Sequence, residues 1–211
     1  MFNFLLSVYF NSKIKKIYNS NLEKRGFSPS GVFWNSTQSQ HSRFEVLLYL
    51  LKNNLLKKTV RIADVGCGCG DFLSFLRKNN FKDFSYQGYD INVELIKYCK
   101  RKYPSNFFMA NNFPIYECDF SIMSGTYNYT VTDNFIKWEE YIIYNLMQCY
   151  KRSKLGMIFN LQFSKNRCIR NNIYYTHIGT MESLLEKNFE KVKKFFFLGT
   201  KNDIYFIILR K

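Results

Sequence analysis

The residues best suited to chemistry lie in the stretch 62–70, which reads IADVGCGCG. An apolar run containing Asp64 leads into Gly66, Gly68 and Gly70, which follow at every second position. Glycines in such a turn permit positive φ and let the backbone come close to a bound ligand. An apolar helix pattern begins at once, and the N-terminus of a helix directs unpaired N–H groups at whatever lies there.

A second acid, Asp90, stands twenty residues after Gly70, where another strand-like run ends. In nucleotide-binding α/β folds, a carboxylate at about this distance accepts hydrogen bonds from ribose hydroxyls. Asp90 is also placed to cap a helix beginning near Asn92, which is the structural alternative. Its spacing from the glycines favours the ligand role, so the two segments together predict a nucleotide-type cofactor site.

Strands and helices alternate along the segments that must position these residues. The expected strands are residues 60–65, 84–90, 107–110, 118–124, 157–163, 192–198 and 204–209. The expected helices are an N-terminal one ending near residue 24, followed by 42–51, 72–77, 93–102, 135–151 and 181–187. This alternation is typical of an α/β, doubly wound, mostly parallel sheet with helices on both faces. Only residues 199–202 separate the last two strands, so they must pair antiparallel, and the prediction is a seven-stranded sheet with an antiparallel last strand.

The glycine spacing separates two kinds of cofactor site. A dinucleotide enzyme shows G-x-G-x-x-G, whose third glycine would fall at Asp71. This chain has Asp-x-Gly-x-Gly-x-Gly instead, beginning at Asp64. With Asp90 and the closing antiparallel pair, the segment resembles the first motif of class I S-adenosylmethionine-dependent methyltransferases. That resemblance implies a Rossmann-like fold, an enzyme, and S-adenosylmethionine as cofactor.

The resemblance extends over nearly the whole chain. Trp34, the pair Ser39-Gln40 and the stretch beginning Arg43-Phe44 are similar to the leader of a bacterial subgroup of small methyltransferases. Residues 124–128 and 159–161 resemble later motifs of that subgroup. We therefore expect a single methyltransferase domain, with a helical leader over residues 1–58 and a cofactor-binding core over 59–211.

The resemblance also implies roles for individual residues. Asp64 would receive the methionine ammonium, Asp90 the ribose hydroxyls, and Ile91 would pack on the adenine. The turn beneath the methionine and ribose would be made by Gly66, Cys67, Gly68 and Gly70.

The family usually has an aspartate for the adenine amino group where this chain has Asn111 and Asn112. An amide oxygen can accept the same bond, so adenine binding is expected to be weakened and not lost. Ser124 and Gly125, after the fourth strand, would border the methyl group.

Several assignments keep two interpretations. Arg43 either holds the cofactor's carboxylate as a bidentate pair or is a surface residue of an amphipathic helix. Phe33 and Trp34 either form a lid or anchor the leader. His177, in a loop near the carboxyl ends of the strands, is a candidate base, although solitary histidines are mostly not catalytic. Asn128 either orients the acceptor or caps a turn.

Composition narrows the remaining questions. The chain has 31 Lys and Arg against 16 Asp and Glu, which gives a formal charge of +15. The basic residues are dispersed, and Lys, Asn, Ile, Phe and Tyr are all abundant. We therefore interpret the positive charge as a compositional bias of the genome and not as a nucleic-acid-binding surface. The six cysteines lack paired C-x-x-C spacing, so we expect no metal site and a reducing, cytoplasmic location. Residues 1–10 are apolar without a basic n-region or cleavage site, which favours an amphipathic helix over a signal peptide or a membrane span.

Two functions follow as hypotheses. The first is methyl transfer to an oxygen or nitrogen of a small molecule, since no Asp/Asn-Pro-Pro-Tyr motif for base amines follows the fourth strand. The second is a methyltransferase fold, catalytic or not, that acts on or binds RNA through its basic surface.

Overall fold

The structure, a computed structural model, describes residues 4–55 and 59–210. The helices are α1 (Phe4–Arg25), α2 (Thr37–Lys52), α3 (Asp71–Lys78), α4 (Val93–Lys102), α5 (Phe135–Arg152) and α6 (Ile178–Asn188). The strands are β1 (Val60–Val65), β2 (Phe84–Asp90), β3 (Phe107–Ala110), β4 (Cys118–Met123), β5 (Ser153–Phe163), β6 (Cys168–Arg170), β7 (Ile173–Thr176), β8 (Lys191–Phe195) and β9 (Asp203–Leu209). Parts of the expected N-terminal helix and leader, residues 1–3 and 56–58, lie outside the described residues.

The central sheet has the order β3-β2-β1-β4-β5-β9-β8. The five strands β3, β2, β1, β4 and β5 pair in parallel with one another, while β9 is antiparallel to both β5 and β8. The predicted α/β class, the mostly parallel sheet and the closing antiparallel pair are confirmed. The chain leaves β1 in one direction through β2 and β3 and returns to β4 on its other side, which creates a crevice at the carboxyl ends of β1 and β4.

The described residues form a sheet of nine strands, which are the seven predicted ones and a short hairpin, β6–β7, that the sequence pattern did not predict. Gln162 of β5 pairs with β9 on one edge and with Tyr175 of β7 on the other. The hairpin therefore lies beyond the end of β4, on the edge that β4 occupies further back along β5. Its turn residues, Asn171 and Asn172, have φ of 50° and 61°, as a two-residue hairpin turn requires.

Helices cover both faces of the sheet, as predicted. Side chains of α2, α3 and α4 pack on one face, and those of α1, α5 and α6 pack on the other. Alternation along β9 shows the two layers, since Tyr205 and Ile207 face the first and Phe206 and Ile208 face the second. All four side chains are buried.

Helix α1 crosses over the carboxyl ends of the strands. Near its start, Asn11 accepts a hydrogen bond from the Tyr141 hydroxyl of α5 at 2.6 Å. Near its end, Asn19 accepts one from the Asn92 amide at 2.7 Å. Apolar residues are not confined to its packed face, since Phe4, Leu5, Val8 and Tyr9 are exposed, so the expected amphipathic pattern is weaker than the sequence suggested. None of the described helices is long and apolar enough to cross a membrane.

Candidate active site

A cavity of about 470 Å³ opens at the carboxyl ends of the parallel strands. This size lies within the range of about 300–1,000 Å³ that is usual for small-molecule sites. One part, which we call the β1–β3 half, is lined by the glycine turn after β1, by Asp90 and Ile91 after β2, and by Asn111 and Asn112 after β3. The other part, the β4–β5 half, is lined by the leader, by the loop after β4, and by β5 and β7. All of the predicted cofactor residues except Gly70 line the cavity. Those between Asp64 and Asn112 lie in the β1–β3 half, and Arg43, Ser124 and Gly125 lie in the β4–β5 half.

The three glycines of the turn have φ of 78°, 53° and 73°, in the region that side chains rarely adopt. A Cβ on Gly66 would lie 2.7 Å from the Thr126 side chain, so this position is closed by the protein itself. A Cβ on Gly68 would meet, among the described residues, only the Val32 side chain, in ordinary van der Waals contact at 3.8 Å. The turn is therefore shaped to let a ligand approach the backbone at Gly68.

The Asp90 carboxylate is held in place by backbone amides. Its Oδ2 accepts from the Gly68 N–H at 3.0 Å, and its Oδ1 accepts from the Asn92 N–H at 2.8 Å. Burial raises the pKa of Asp90 to about 6, against the lowering effect of these two bonds. The cap of α4 is the Asn92 side chain, which accepts from the Glu94 N–H at 2.9 Å. The alternative role for Asp90, helix capping, is thus filled by its neighbour.

Asp64 is almost fully buried beneath the turn and still lines the cavity. Its Oδ2 accepts a hydrogen bond from the Tyr86 hydroxyl at 2.5 Å. Burial raises the pKa of Asp64 from 3.8 to about 7, the Tyr86 bond opposes this, and the negative charges of Asp90 and Asp71 add to it. A bound cationic group would offset both the cost of burying the carboxylate charge and its repulsion from the neighbouring acids, which suits a site for an ammonium.

The end of β3 presents an amide whose orientation is fixed. Asn145 donates to the Tyr141 carbonyl at 2.7 Å, so its oxygen faces Asn112 and accepts from the Asn112 Nδ2 at 2.7 Å. The oxygen of Asn112 is thereby left as the acceptor end of its amide. The side-chain oxygen of the neighbouring Asn111 accepts from the Asn112 N–H at 3.0 Å. Asn112 is thus the better placed of the two for an amino group.

Ser124 and Gly125 follow β4 and line the cavity as expected. The Ser124 hydroxyl is buried and has no hydrogen-bond partner among the described residues. Gly125 has a φ of 66°, and its N–H donates to the side-chain oxygen of Asn160 at 2.8 Å. An unpaired buried hydroxyl on the wall of a cavity is a group that a ligand can satisfy.

Three aromatic rings from separate segments meet at the β4–β5 half. Phe33 of the leader stacks on Tyr129 of the loop after β4 at 4.8 Å between centroids, and Tyr18 of α1 packs edge-on against both. Phe33 has a φ of 64°, a strained conformation for a bulky residue that is common at functional sites. Phe33 and Trp34 both line the cavity, so they form part of its wall as well as anchoring the leader.

Sequence reasoning missed Tyr18, Tyr129, Gln162 and Tyr175 as lining residues of the β4–β5 half. The hairpin turn at Asn171-Asn172 was a readable signal for the segment that carries Tyr175. Nothing local to α1 indicated that Tyr18 would reach the crevice.

The bidentate pair expected of Arg43 is made with another partner. Its Nε donates to Oδ1 of Asp203 at 3.0 Å, and its Nη2 lies 2.9 Å from Oδ2. Its Nη1 donates to the carbonyl and hydroxyl of Ser39 at 3.1 Å and 2.7 Å. Arg43 lines the cavity, but its guanidinium is already engaged, so the expected clasp on a cofactor carboxylate is not supported.

The two candidate catalytic residues have different positions. Asn128 lines the cavity, and its side-chain oxygen accepts from the Gln162 N–H at 3.1 Å, which leaves its amide nitrogen as a donor. His177 is exposed and is not part of the lining. Its Nδ1 accepts from the Thr180 N–H at 3.2 Å, so the imidazole is the N-cap of α6 and not a base at the site.

The residues present fit S-adenosylmethionine. The uncrowded backbone at Gly68, the buried carboxyl of Asp64 and the Ser124 hydroxyl, which has no partner among the described residues, can each contact a cofactor group of the matching kind. Asp90 retains acceptor capacity beside the turn, because a carboxylate has about four lone-pair sites and two are in use. No group of three or more His, Cys, Asp or Glu in the described part of the chain could hold a metal ion.

The chain is similar to known methyltransferases in sequence and in fold. No protein-family model matches the chain. A protein of Mycobacterium tuberculosis named "Putative methyltransferase Rv1506c" is 26% identical over 136 residues, which is 62% of this chain and 81% of that protein.

Solved structures share the fold at low identity. Magnesium protoporphyrin IX methyltransferase (ChlM) of Synechocystis PCC 6803, with bound S-adenosylmethionine, gives a TM-score of 0.62 at 11% identity and covers 95% of this chain and 97% of its own. A methyltransferase of Leishmania major gives 0.64 at 14%, covering 92% and 82%. CalS10, an amino pentose methyltransferase of Micromonospora echinaspora, gives 0.62 at 10%, covering 92% and 97%. The chain is thus similar in sequence to a methyltransferase and has the fold of class I S-adenosylmethionine-dependent methyltransferases, with the glycine turn, the two acids and the strand order that this resemblance implies.

Proposed function

We propose that this single-domain enzyme transfers the methyl group of S-adenosylmethionine to an oxygen or nitrogen atom of a small molecule. The observation that carries the proposal is the continuity of the cavity. It runs from the β1–β3 half, where the cofactor residues gather, into the β4–β5 half, whose walls carry aromatic rings and amides.

The roof of the cavity favours a small acceptor. Helix α1 crosses the crevice and is hydrogen bonded to the core near both ends, through Asn11 and Asn19. Tyr18 and Phe33 close the same side by packing on Tyr129. An acceptor must therefore fit beneath this roof, beside the loop that carries Ser124 and Gly125.

The chain's own residues would bind, orient and exclude water. The cofactor supplies a methyl group on a sulfonium, which is transferred in line to a nucleophile. Asp64 would hold the ammonium, Asp90 the ribose and Asn112 the adenine amino group. The aromatic rings would displace water from the β4–β5 half, and the Asn128 amide would orient the acceptor.

The fold relatives support a small acceptor, since ChlM is named for magnesium protoporphyrin IX and CalS10 for an amino pentose.

We also propose a cytoplasmic location. All six cysteines are free thiols, and five of them are buried, which suits a reducing compartment.

Calorimetry tests the cofactor site. Wild-type protein is expected to bind S-adenosylmethionine, and Asp90→Ala to bind it at least about 100-fold more weakly, because two hydrogen bonds to a charged group contribute about 1.5–3 kcal/mol each. Asp83→Ala removes an exposed acid just before β2, at the opposite end of this strand from Asp90, and is expected to bind as wild type does. Absence of binding by the wild-type protein would refute the proposed function.

A transfer assay tests the acceptor class. Methyl-labelled S-adenosylmethionine is incubated with the enzyme and with extract of the source cell separated into metabolite, RNA and protein fractions. We expect label in the metabolite fraction. Label in RNA with a steep salt dependence would favour the RNA function instead.

A further inference from the structure

Arg43 and Asp203 form the most enclosed ion pair that contacts the cavity wall. The Nε and Nη2 atoms of Arg43 each contact one carboxylate oxygen of Asp203, and the two side chains are only 12% and 2% exposed. Asp203 begins β9, whereas Arg43 belongs to α2 of the leader. The pair therefore ties the leader to the sheet at the edge where the cavity opens.

Asp203 is also connected to the loop after β4. Its Oδ1 accepts from the Asn160 amide nitrogen at 2.8 Å, and the Asn160 oxygen accepts from the Gly125 N–H at 2.8 Å. Asn160 is fully buried in β5. Because the nitrogen of its amide is held by a carboxylate and the oxygen by a backbone N–H, the orientation of the Asn160 side chain is fixed. Asn160 therefore fixes the position of the Gly125 backbone.

Trp34 completes the connection. The guanidinium carbon of Arg43 lies 5.0 Å from the centre of the Trp34 ring, within cation–π range. The far edge of the same ring lies 3.2 Å from the place of a Cβ on Gly125, and such a contact is possible because Gly125 has no side chain. We call these five residues, Trp34, Arg43, Gly125, Asn160 and Asp203, the Asp203 circuit.

Stability alone does not account for the circuit. A buried ion pair recovers little more than its desolvation cost, and apolar residues of similar shape often replace one without loss. Burial raises the pKa of Asp203 even with Arg43 and Asn160 lowering it. What the pair does supply is a rigid, directional link between two walls of the β4–β5 half.

Resting on the proposed function, we propose that Asp203 is a positioning residue that holds Trp34 and Gly125 in the arrangement that aligns the acceptor with the methyl group. Asp203 does not line the cavity. Its effect passes through Arg43 to Trp34 on one side and through Asn160 to Gly125 on the other.

Three variants test the link. Asp203→Asn keeps the shape of the side chain and removes its charge, and Arg43→Met removes the partner. The double variant Arg43→Met/Asp203→Leu removes both charges, so it leaves no unpaired buried ion and is expected to fold. Each is expected to bind S-adenosylmethionine within about threefold of wild type, and to transfer label to the metabolite fraction about 10- to 100-fold more slowly, as a misplacement of about 1 Å can cause.

The matched control is Asp119→Asn. Asp119 forms a similar pair with Arg61 at the opposite end of β1 and β4, where neither residue lines the cavity. Its loss is expected to lower stability but to leave transfer per folded molecule unchanged.

Tryptophan emission supplies a second readout that needs no acceptor. The chain has two tryptophans, and Trp138 is buried and hydrogen bonded to the Tyr127 carbonyl, so its emission is common to all variants. Loss of the circuit is expected to shift the Trp34 emission to longer wavelength and to raise its quenching by acrylamide.

Four results would overturn the proposal. Unchanged emission in Asp203→Asn would show that Asp203 does not hold Trp34. Full transfer by the double variant would reduce the pair to a structural role, and reduced transfer by Asp119→Asn would remove the specificity of the effect. Arg43→Met binding S-adenosylmethionine at least about tenfold more weakly while Asp203→Asn does not would assign Arg43 to the cofactor. If wild-type protein transfers no label, the proposed function fails. The Trp34 emission of Asp203→Asn then still tests whether Asp203 holds Trp34 in place.

Discussion

Replacing Asp64 with asparagine is expected to stabilise the ligand-free protein at neutral and alkaline pH while it impairs cofactor binding. Burial raises the pKa of this carboxyl from 3.8 to about 7, so folding disfavours its ionised form. The Tyr86 hydroxyl, which donates to Oδ2 at 2.5 Å, can donate equally to an asparagine oxygen. The variant therefore keeps the Tyr86 hydrogen bond and loses the charge, while an NH2 group replaces the second carboxylate oxygen.

The sign and size follow from the two pKa values. Between pH 4 and 7 the unfolded chain has released the Asp64 proton and the folded protein still holds it, so wild-type stability falls as pH rises. A difference of about three pH units at about 1.4 kcal/mol each amounts to about 4 kcal/mol. The advantage of Asp64→Asn over wild type should grow with pH and level off above about pH 7, at about 4 kcal/mol more than at pH 4.

Urea unfolding at pH 4 to 9 measures this directly, with the free energy of unfolding of both proteins compared at each pH. Calorimetry on the same samples should show that Asp64→Asn binds S-adenosylmethionine more weakly, because the ammonium loses its counter-charge. A difference in stability that does not change with pH, or a wild type that is the more stable at pH 8, would refute the reasoning.

Further predictions concern the same site. Burial raises the pKa of Asp90 to about 6 and that of Asp64 to about 7, and in the proposed site both are ionised when the cofactor is bound. S-adenosylmethionine affinity should therefore fall as pH drops below 7, and calorimetry in buffers of different ionisation enthalpy should detect proton release at pH 7. Gly66→Ala should cost more than the roughly 1 kcal/mol of backbone strain that Gly26→Ala costs, because both have positive φ but only the first meets a side chain, at 2.7 Å; thermal unfolding of the two variants compares them, and equal losses would contradict the geometry. His177→Ala should lose about 1 kcal/mol of stability with the N-cap and keep full transfer activity, whereas His177→Asp should retain the cap; a loss of transfer by both would restore His177 as a base.

Local patterns were enough to predict the core of the fold. The apolar runs and the glycine turn predicted β1, β2 and α4 close to their observed bounds. The spacing of apolar residues and the residues that end an element are both local features of the sequence. The helix α2 begins at Thr37, earlier than predicted, since Ser36 caps it by accepting from the Ser39 N–H at 3.0 Å. The hairpin β6–β7 escaped prediction because its strands of three and four residues carry too little pattern.

By itself, the sequence determined the fold class and most of the residues that line the β1–β3 half, and from them it predicted the kind of cofactor. Asp64 lies near the end of β1, Gly68 follows β1 and Asp90 ends β2, and the carboxyl ends of neighbouring parallel strands must meet at one edge of the sheet. Only the tertiary structure decided which partner each remaining polar group has. Arg43 and Asp203 are 160 positions apart, so no local pattern could pair them. The pairing is fixed by how α2 packs on the sheet, and it turned an expected cofactor ligand into part of the Asp203 circuit.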